Sequence, residues 1–488
     1  MKKYSPLAFL FSLLFAVSAY AGEGRYTLPL TGGGWSLWLD KEASWQNDRL
    51  YLPHEITDLS LLPVNTPTGG WQALNDNLDA VSVEVPGTVE EYLTTSDNPR
   101  PEDFKGVSWW YRKITIPADQ ANKRHLIYFE SVRMRAEVYL DGKLVAYDLI
   151  GETPFHVDIT KEAKPGTEQL LAVRVTNPGG NFHWQDFDIQ KWGEYNIPPA
   201  RSFSGIIGRV KLESVNPVFI SDIYMQNTPE PTKVNAIISF TNETPSDVEL
   251  TVSEKNRPDK VVFRQLLKHV SFPPGKREMM IPVSVSDAKL WDLDTPELYT
   301  CNIQIKKGKN TLDRDKKNFG FRWFSAEGVG TDAVLRLNGR RVMLRSAISW
   351  GYFPVTGLIA TPEMAEKQVL TAKKLGLNML NFHRCIGSPV VLEKTDELGL
   401  LYYEEPGSFH SANHDPFIRT IVNEKLKRMV HRDRSHPSLI IFNLINEFGG
   451  PLSRDKELVA KRMNDMREAH AVDPGRIMTF TSGWAGSE

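Results

Sequence analysis

Arg432-Asp433-Arg434-Ser435-His436-Pro437-Ser438-Leu439-Ile440-Ile441-Phe442-Asn443-Leu444-Ile445-Asn446-Glu447 is the stretch that decides the fold. An apolar run follows a His-Pro-Ser turn and ends abruptly in Asn446-Glu447. Such a run, bounded by turn residues, reads as a parallel strand covered on both faces. Parallel α/β folds carry their chemistry at the C-terminal ends of strands. Glu447 therefore stands where a proton donor is useful.

Outward from this strand, the chain beyond Phe324 alternates strand and helix. Thr361-Pro362-Glu363 supplies an N-cap, a first-position Pro and an early acid, and Gly376 closes that helix. Ser388-Pro389 and Asp415-Pro416 open two more helices, the first ending at Gly399 and the second near Asp433, and Ser453 is expected to cap a fourth. Strands are predicted over Val342 to Ile348, Leu377 to Phe382, Leu400 to Tyr403, Leu439 to Ile445 and Ile477 to Thr481. Five βα steps over 326–488 predict part of a (β/α)8 TIM barrel. Eight strands close such a barrel, so the expectation is a fragment of a longer protein, or a truncated product completed by another chain.

Upstream the pattern is all-β. Residues 22–215 show short alternating runs, among them Trp109 to Ile116, Ala136 to Leu140, Leu170 to Thr176 and Ile207 to Leu212, split by turns such as Asp141-Gly142 and Pro165-Gly166. This predicts a β-sandwich, of jelly-roll type by the resemblance that its motifs carry. Residues 216–325 repeat the style at smaller scale and predict an immunoglobulin-like β-sandwich. The fold class is thus multidomain: two β-sandwiches followed by an incomplete α/β barrel.

With 58 Lys and Arg against 60 Asp and Glu, the net charge of −2 gives no electrostatic pull toward nucleic acid or an anionic membrane. Lys2 and Lys3, the apolar stretch Leu7 to Val17, and Ala19-Tyr20-Ala21 read as a cleaved export signal over residues 1–21. That apolar stretch is too short for a membrane span, so the expected location is periplasmic or secreted. Cys301 and Cys385 fall in different predicted domains, which predicts two buried thiols and no disulfide between them.

Several motifs, in this order, resemble glycoside hydrolase family 2, which includes β-galactosidases, β-glucuronidases and β-mannosidases. Ser108-Trp109-Trp110-Tyr111-Arg112 is similar to the family's Trp-Tyr-Arg strand, and Ser204-Gly205-Ile206-Ile207-Gly208-Arg209-Val210 to its Gly-Ile segment. Leu337-Asn338-Gly339-Arg340 resembles the turn leading into its barrel, and Arg432-Asp433, His436-Pro437-Ser438 and Asn446-Glu447 resemble its acid/base strand. The resemblance implies a retaining exo-β-glycosidase acting on oligo- or polysaccharides, β-galactosidase-like, with Glu447 as general acid/base. It implies that Asn446 bonds the sugar 2-hydroxyl. It implies a glycan as partner and a nucleophile on the seventh barrel strand, which this sequence does not reach; no cofactor is expected and no residue is assigned to a metal. A glycosidic oxygen leaves poorly until protonated, so a carboxylic acid must deliver a proton and a second carboxylate must attack.

Other candidates surround this pair. The family's first-strand Gly, Asn and His positions hold Ser346, Ile348 and Trp350, and its second-strand Arg and His positions hold Asn381 and Arg384. Arg384 suits an acidic or sulfated sugar through two parallel bonds, with packing or a structural ion pair as its plain alternative. Trp350 suits stacking on a sugar ring. His383 and Glu405 join them as substrate-binding candidates. Glu404 and Glu405 read either functionally, as a sugar-hydroxyl acceptor or a charge that tunes Glu447, or plainly, one of them as structural partner of a barrel arginine, and Asp433 reads as an ion pair with Arg432. The loop Asn181 to Asp188, with Trp192, is placed to reach over the barrel mouth, where His183 is more simply satisfied within the loop. The alternative to an enzyme is a non-catalytic carbohydrate-binding remnant on the same fold.

Overall fold

The computed structural model describes residues 20–21, 24–75, 79–93, 104–179, 189–198, 203–241, 246–270, 272, 277–351, 353, 356–408, 414–449 and 451–482. The expected export signal, apart from residues 20–21, and the loop 181–188 with His183 lie outside the described residues.

Two antiparallel sheets form the first sandwich. One has five strands in the order Tyr20–Ala21, Tyr26–Pro29, Val210–Val215, Arg124–Phe129 and Phe155–Asp158. The other has six, with Gly106–Thr115 and Glu168–Asn177 at its centre. Alternation along these strands sends Leu37, Trp35, Trp110, Ile127, Phe129, Val138, Val173 and Leu212 into one shared core. The run expected from Ile207 to Leu212 is paired only from Val210 to Val215. Ile207 instead gives its N–H to Ser131 O, because Gly205 crosses over to bridge Arg133.

A second sandwich pairs a three-stranded sheet, Ile220–Asn227, Lys233–Phe240 and Glu278–Ser284, with a four-stranded sheet in the order Arg257–Val270, Ser246–Glu254, Tyr299–Lys307 and Asn310–Phe319. Its core holds Ile238, Leu250, Ile303 and Cys301, whose thiol is pushed up to about 12 by burial. Cys385 departs from expectation: it is only half-buried, in a loop, with Sγ 3.8 Å from Trp350 O. A hairpin at Asn338 and Gly339 then leads into the third unit, both residues with positive φ (52° and 77°), as a two-residue turn of this hand requires.

The third unit is a parallel sheet of five strands in sequence order: β1 (Ser346–Ser349), β2 (Met379–Phe382), β3 (Leu401–Glu404), β4 (Leu439–Asn446) and β5 (Ile477–Ser482). Its helices are α1 (Pro362–Lys374), α2 (Pro389–Leu398), α3 (Pro416–Asp433), α4 (Pro451–Arg454) and α5 (Lys456–His470). β1 is shorter than the expected Val342 to Ile348. Val342 N–H still bonds Leu335 O of the incoming hairpin, and Arg345 N–H is taken by the Asn378 side chain. α2 stops where foreseen, because Gly399 adopts φ 71° and any Cβ there would meet Leu293 O at 2.4 Å. Ser453 is not the cap of the last helix. Asp455 holds that place and accepts from the N–H groups of Glu457 and Leu458, while Ser453 lies inside the short α4.

Both sandwiches dock on the helices of this unit. Trp291 Nε1 donates to Asp396 O, and Arg322 reaches Pro437 O and Leu439 O. From the first sandwich, the hairpin Gln190–Trp192 and Tyr195–Ile197 meets the start of α3, where Tyr195 and Phe417 rings lie 4.9 Å apart. Asp415 is the hinge of this contact: one oxygen caps α3 through Phe417 and Ile418 N–H, and the other accepts from Asn196 Nδ2 at 2.5 Å. Asp415→Ala removes both functions. A loss of about 1–2 kcal/mol is expected, read as a lower denaturant midpoint for the barrel unit. An unchanged midpoint would mean that neither bond matters.

Candidate active site

β4 is buried along all its length, which is why the sequence there is apolar on both faces. The strand ends at Asn446, and the next residue turns sharply. Glu447 takes φ 52°, its N–H bonds Ser482 O at 2.7 Å, and Phe448 N–H bonds Thr481 Oγ1. This left-handed turn aims the Glu447 side chain out of the strand line and leaves it 36 % exposed. A non-glycine residue held there costs about 1–3 kcal/mol, which neighbouring contacts must offset.

A second such turn follows β2. Arg384 has φ 56°, held by a 2.5 Å bond from its N–H to Glu405 Oε1. Its guanidinium then faces β4: Nε donates to Asn446 Oδ1 at 2.7 Å and Nη2 to Glu447 Oε2 at 3.2 Å. The guanidinium carbon sits 5.7 Å from the Trp350 ring centre, and that ring meets His383 edge-on at 4.8 Å. Trp350, His383, Arg384, Asn446 and Glu447 are thus brought to one end of the sheet, together with Glu405.

Glu404 and Glu405 are adjacent in sequence and go opposite ways, as the period of two requires. Glu405 is fully buried and is a hub for protein groups. It accepts from Asn443 Nδ2 and Ser482 Oγ, each at 3.0 Å, and His383 Nδ1 stands 3.3 Å away. Glu404 turns to the helix layer, where it meets Arg432 Nη2 at 3.3 Å and Gly387 N–H at 2.7 Å. Arg432 also forks onto Asp433 at 2.6 to 3.0 Å and reaches Gly387 O. Burial, reinforced by nearby Asp433, pushes the Glu404 carboxyl well above the ordinary carboxylate range. Burial opposes the charge on Arg432, yet Asp433 and Glu404 hold its guanidinium above the usual value. Of the two readings kept open for Glu404, the structure shows the arginine partner.

Sequence reasoning passed over Asn443, Thr479 and Ser482. Asn446 Nδ2 donates to Ser482 Oγ at 3.1 Å, and Thr479 Oγ1 donates to Asn443 Oδ1 at 2.8 Å. The signal was present: an Asn inside a strand covered on both faces needs a buried partner. Arg384, for which a sugar ligand and a structural ion pair were both open, places Nε on Asn446 and Nη2 on Glu447. Among the described residues no cluster of His, Cys, Asp or Glu is arranged to hold a metal ion. What the arrangement can do chemically is move a proton at Glu447, beside an amide and a cation that fix its surroundings.

Comparison with known proteins matches one family at three places along the chain. Models of glycosyl hydrolases family 2 match it as the sugar binding domain at residues 72–198, as the domain carrying the family's own name at 218–322, and as the TIM barrel domain at 332–487. A putative β-glucuronidase of Formosa agariphila is 25% identical over 460 residues, 91% of this chain and 51% of that protein. A β-galactosidase of Thermoanaerobacter pseudethanolicus is 27% identical over 386 residues, 77% of this chain and 49% of that one. Among solved structures, a β-glucuronidase from Ruminococcus gnavus in complex with D-glucaro-d-lactam superposes with TM-score 0.71 at 20% identity, over 95% of this chain and 74% of its own. The chain spans about half the length of the curated relatives it matches.

Proposed function

Since this chain belongs to glycosyl hydrolases family 2, we propose that it carries the acid/base half of a retaining exo-β-glycosidase. One observation carries the reading: Glu447 projects from the C-terminal end of β4, half-exposed, with its carboxylate set against Arg384 and Asn446. Glu447 gives its proton to the glycosidic oxygen as the bond to the sugar breaks. It then takes a proton from the water that hydrolyses the glycosyl-enzyme. Asn446 is assigned to the 2-hydroxyl of the sugar, and Trp350 and His383 to the rim of its pocket. The nucleophile is assigned to a strand beyond the five described here. The sugar is a β-linked hexopyranoside, a galactoside or, as the names of the relatives suggest, a glucuronide. The residues Lys2, Lys3 and the apolar stretch after them support export to the periplasm or the medium.

The test is a panel of aryl β-galactoside, β-glucuronide and β-mannoside given to the whole protein, with the product followed by proton NMR. Turnover of at least one, with the β-anomer appearing first, is the expected result. An α-anomer first would make the enzyme inverting. Binding of these sugars without cleavage would leave carbohydrate binding, the alternative the sequence raised, as the function.

A further inference from the structure

Arg384 links β2 to the ends of β3 and β4 at the sheet mouth. Its backbone is fixed by Glu405, itself held by Asn443 and Ser482 from β4 and β5. Its guanidinium spans two consecutive residues, Asn446 through Nε and Glu447 through Nη2, and its carbon lies near the Trp350 ring. The side chain is only 12 % exposed, whereas that of Glu447 is 36 % exposed. A half-exposed carboxylate on a turn has several rotamers to choose from, and a proton-transfer group misplaced by about 1 Å loses about 10²-fold in rate.

We propose that Arg384 is a positioning residue for proton transfer: it locks the Asn446 amide and the Glu447 carboxylate into one geometry, and it is not a sugar ligand. The inference rests on Glu447 being the acid/base. Arg384 exchanges no proton. Its Nε fixes which end of the Asn446 amide faces β2, and this directs the amide nitrogen toward Ser482. Its Nη2 holds Oε2 of Glu447, so that the carboxylate points one way before substrate arrives. A planar fork does this with little entropy left to lose, which an ammonium on a flexible stem cannot match.

The test compares two leaving groups in the whole protein, using the sugar that the wild type accepts. A phenyl β-glycoside needs its leaving oxygen protonated, and a 2,4-dinitrophenyl β-glycoside does not. Arg384→Ala is expected to lower kcat/KM for the phenyl substrate by about 30- to 100-fold. For the dinitrophenyl substrate the loss is expected to stay below about 3-fold, because no acid is needed there. Arg384→Lys should recover part of the phenyl activity, and it carries the comparison if the alanine variant does not fold. Equal losses on both substrates would make Arg384 a sugar ligand or a scaffold and overturn the proposal, as would no loss on either. Glu447→Ala with added azide separates the two levels of argument. Failure of azide to restore turnover of the dinitrophenyl substrate removes the acid/base reading itself. Restoration by azide alongside equal losses in the Arg384 variants removes the positioning role alone.

Discussion

Glu447→Gln in the whole protein is expected to cut kcat/KM for a phenyl β-glycoside by about 10²- to 10⁴-fold, the usual worth of a placed general acid. Gln keeps the shape and one oxygen for Arg384 Nη2, which lies 3.2 Å from the carboxylate. It has no proton to give. The turn at φ 52° and its bond to Ser482 O involve backbone atoms, so they are unchanged. Stability should therefore move by no more than about 0.5 kcal/mol, and a far-UV spectrum and melting curve check this. The loss should depend on the leaving group, being large for phenol and small for dinitrophenol, whose oxygen departs without help. The same substitution should also slow hydrolysis of the glycosyl-enzyme, since the base that activates water is gone. A burst of dinitrophenol followed by slow steady release is then expected. Wild-type rates on the phenyl substrate would remove Glu447 from the reaction.

How far the sequence could be read depended on the range of each interaction. The apolar run of β4 and the caps of α1, α2 and α3 are local signals, and they mark these elements to within a residue or two. The last strand of the first sandwich, expected from Ile207 to Leu212, and the start of β1 differ from expectation, because their pairing is decided by partners far along the chain: Arg133 for Gly205, Leu335 for Val342, Asn378 for Arg345. The same holds at the site. Family resemblance places Asn446 and Glu447 on one strand end, but nothing local tells that Arg384, 63 residues earlier than Glu447, turns its guanidinium onto both. The opposite fates of Glu404 and Glu405 follow from strand alternation, yet which one faces inward is set by register. β3 pairs Tyr403 with Asn381 and Glu404 with Phe382, and that pairing decides it.

The helix-side cluster leads to the second large effect. Arg432→Met is expected to destabilise the barrel unit by about 3–5 kcal/mol at neutral pH, because it strands the buried Asp433 carboxylate and leaves Glu404 to be buried as the neutral acid. Arg432 touches Glu404, Asp433 and Gly387 O, and Glu404 in turn holds Gly387 N–H, so the loop carrying His383 and Arg384 is tied at its far end by this cluster. The pH dependence has a definite sign. Burial first, and Asp433 second, raise the Glu404 carboxyl above its unfolded value of 4.5, while Arg432 opposes that rise. A group bound more tightly to its proton in the folded state stabilises fully below the unfolded value and loses that contribution as pH rises through the folded one. Removing Arg432 lifts the folded value further. The variant should therefore gain stability on acidification from neutral pH toward 4.5, more steeply than the wild type. Denaturant midpoints at neutral pH and near pH 5 measure this directly. Adding Glu404→Gln to Arg432→Met should return part of the loss at neutral pH and flatten the slope, since an amide is buried neutral without taking up a proton. A loss that is the same at both pH values, and that Glu404→Gln leaves untouched, would mean that Arg432 contributes through its contact with Gly387 alone.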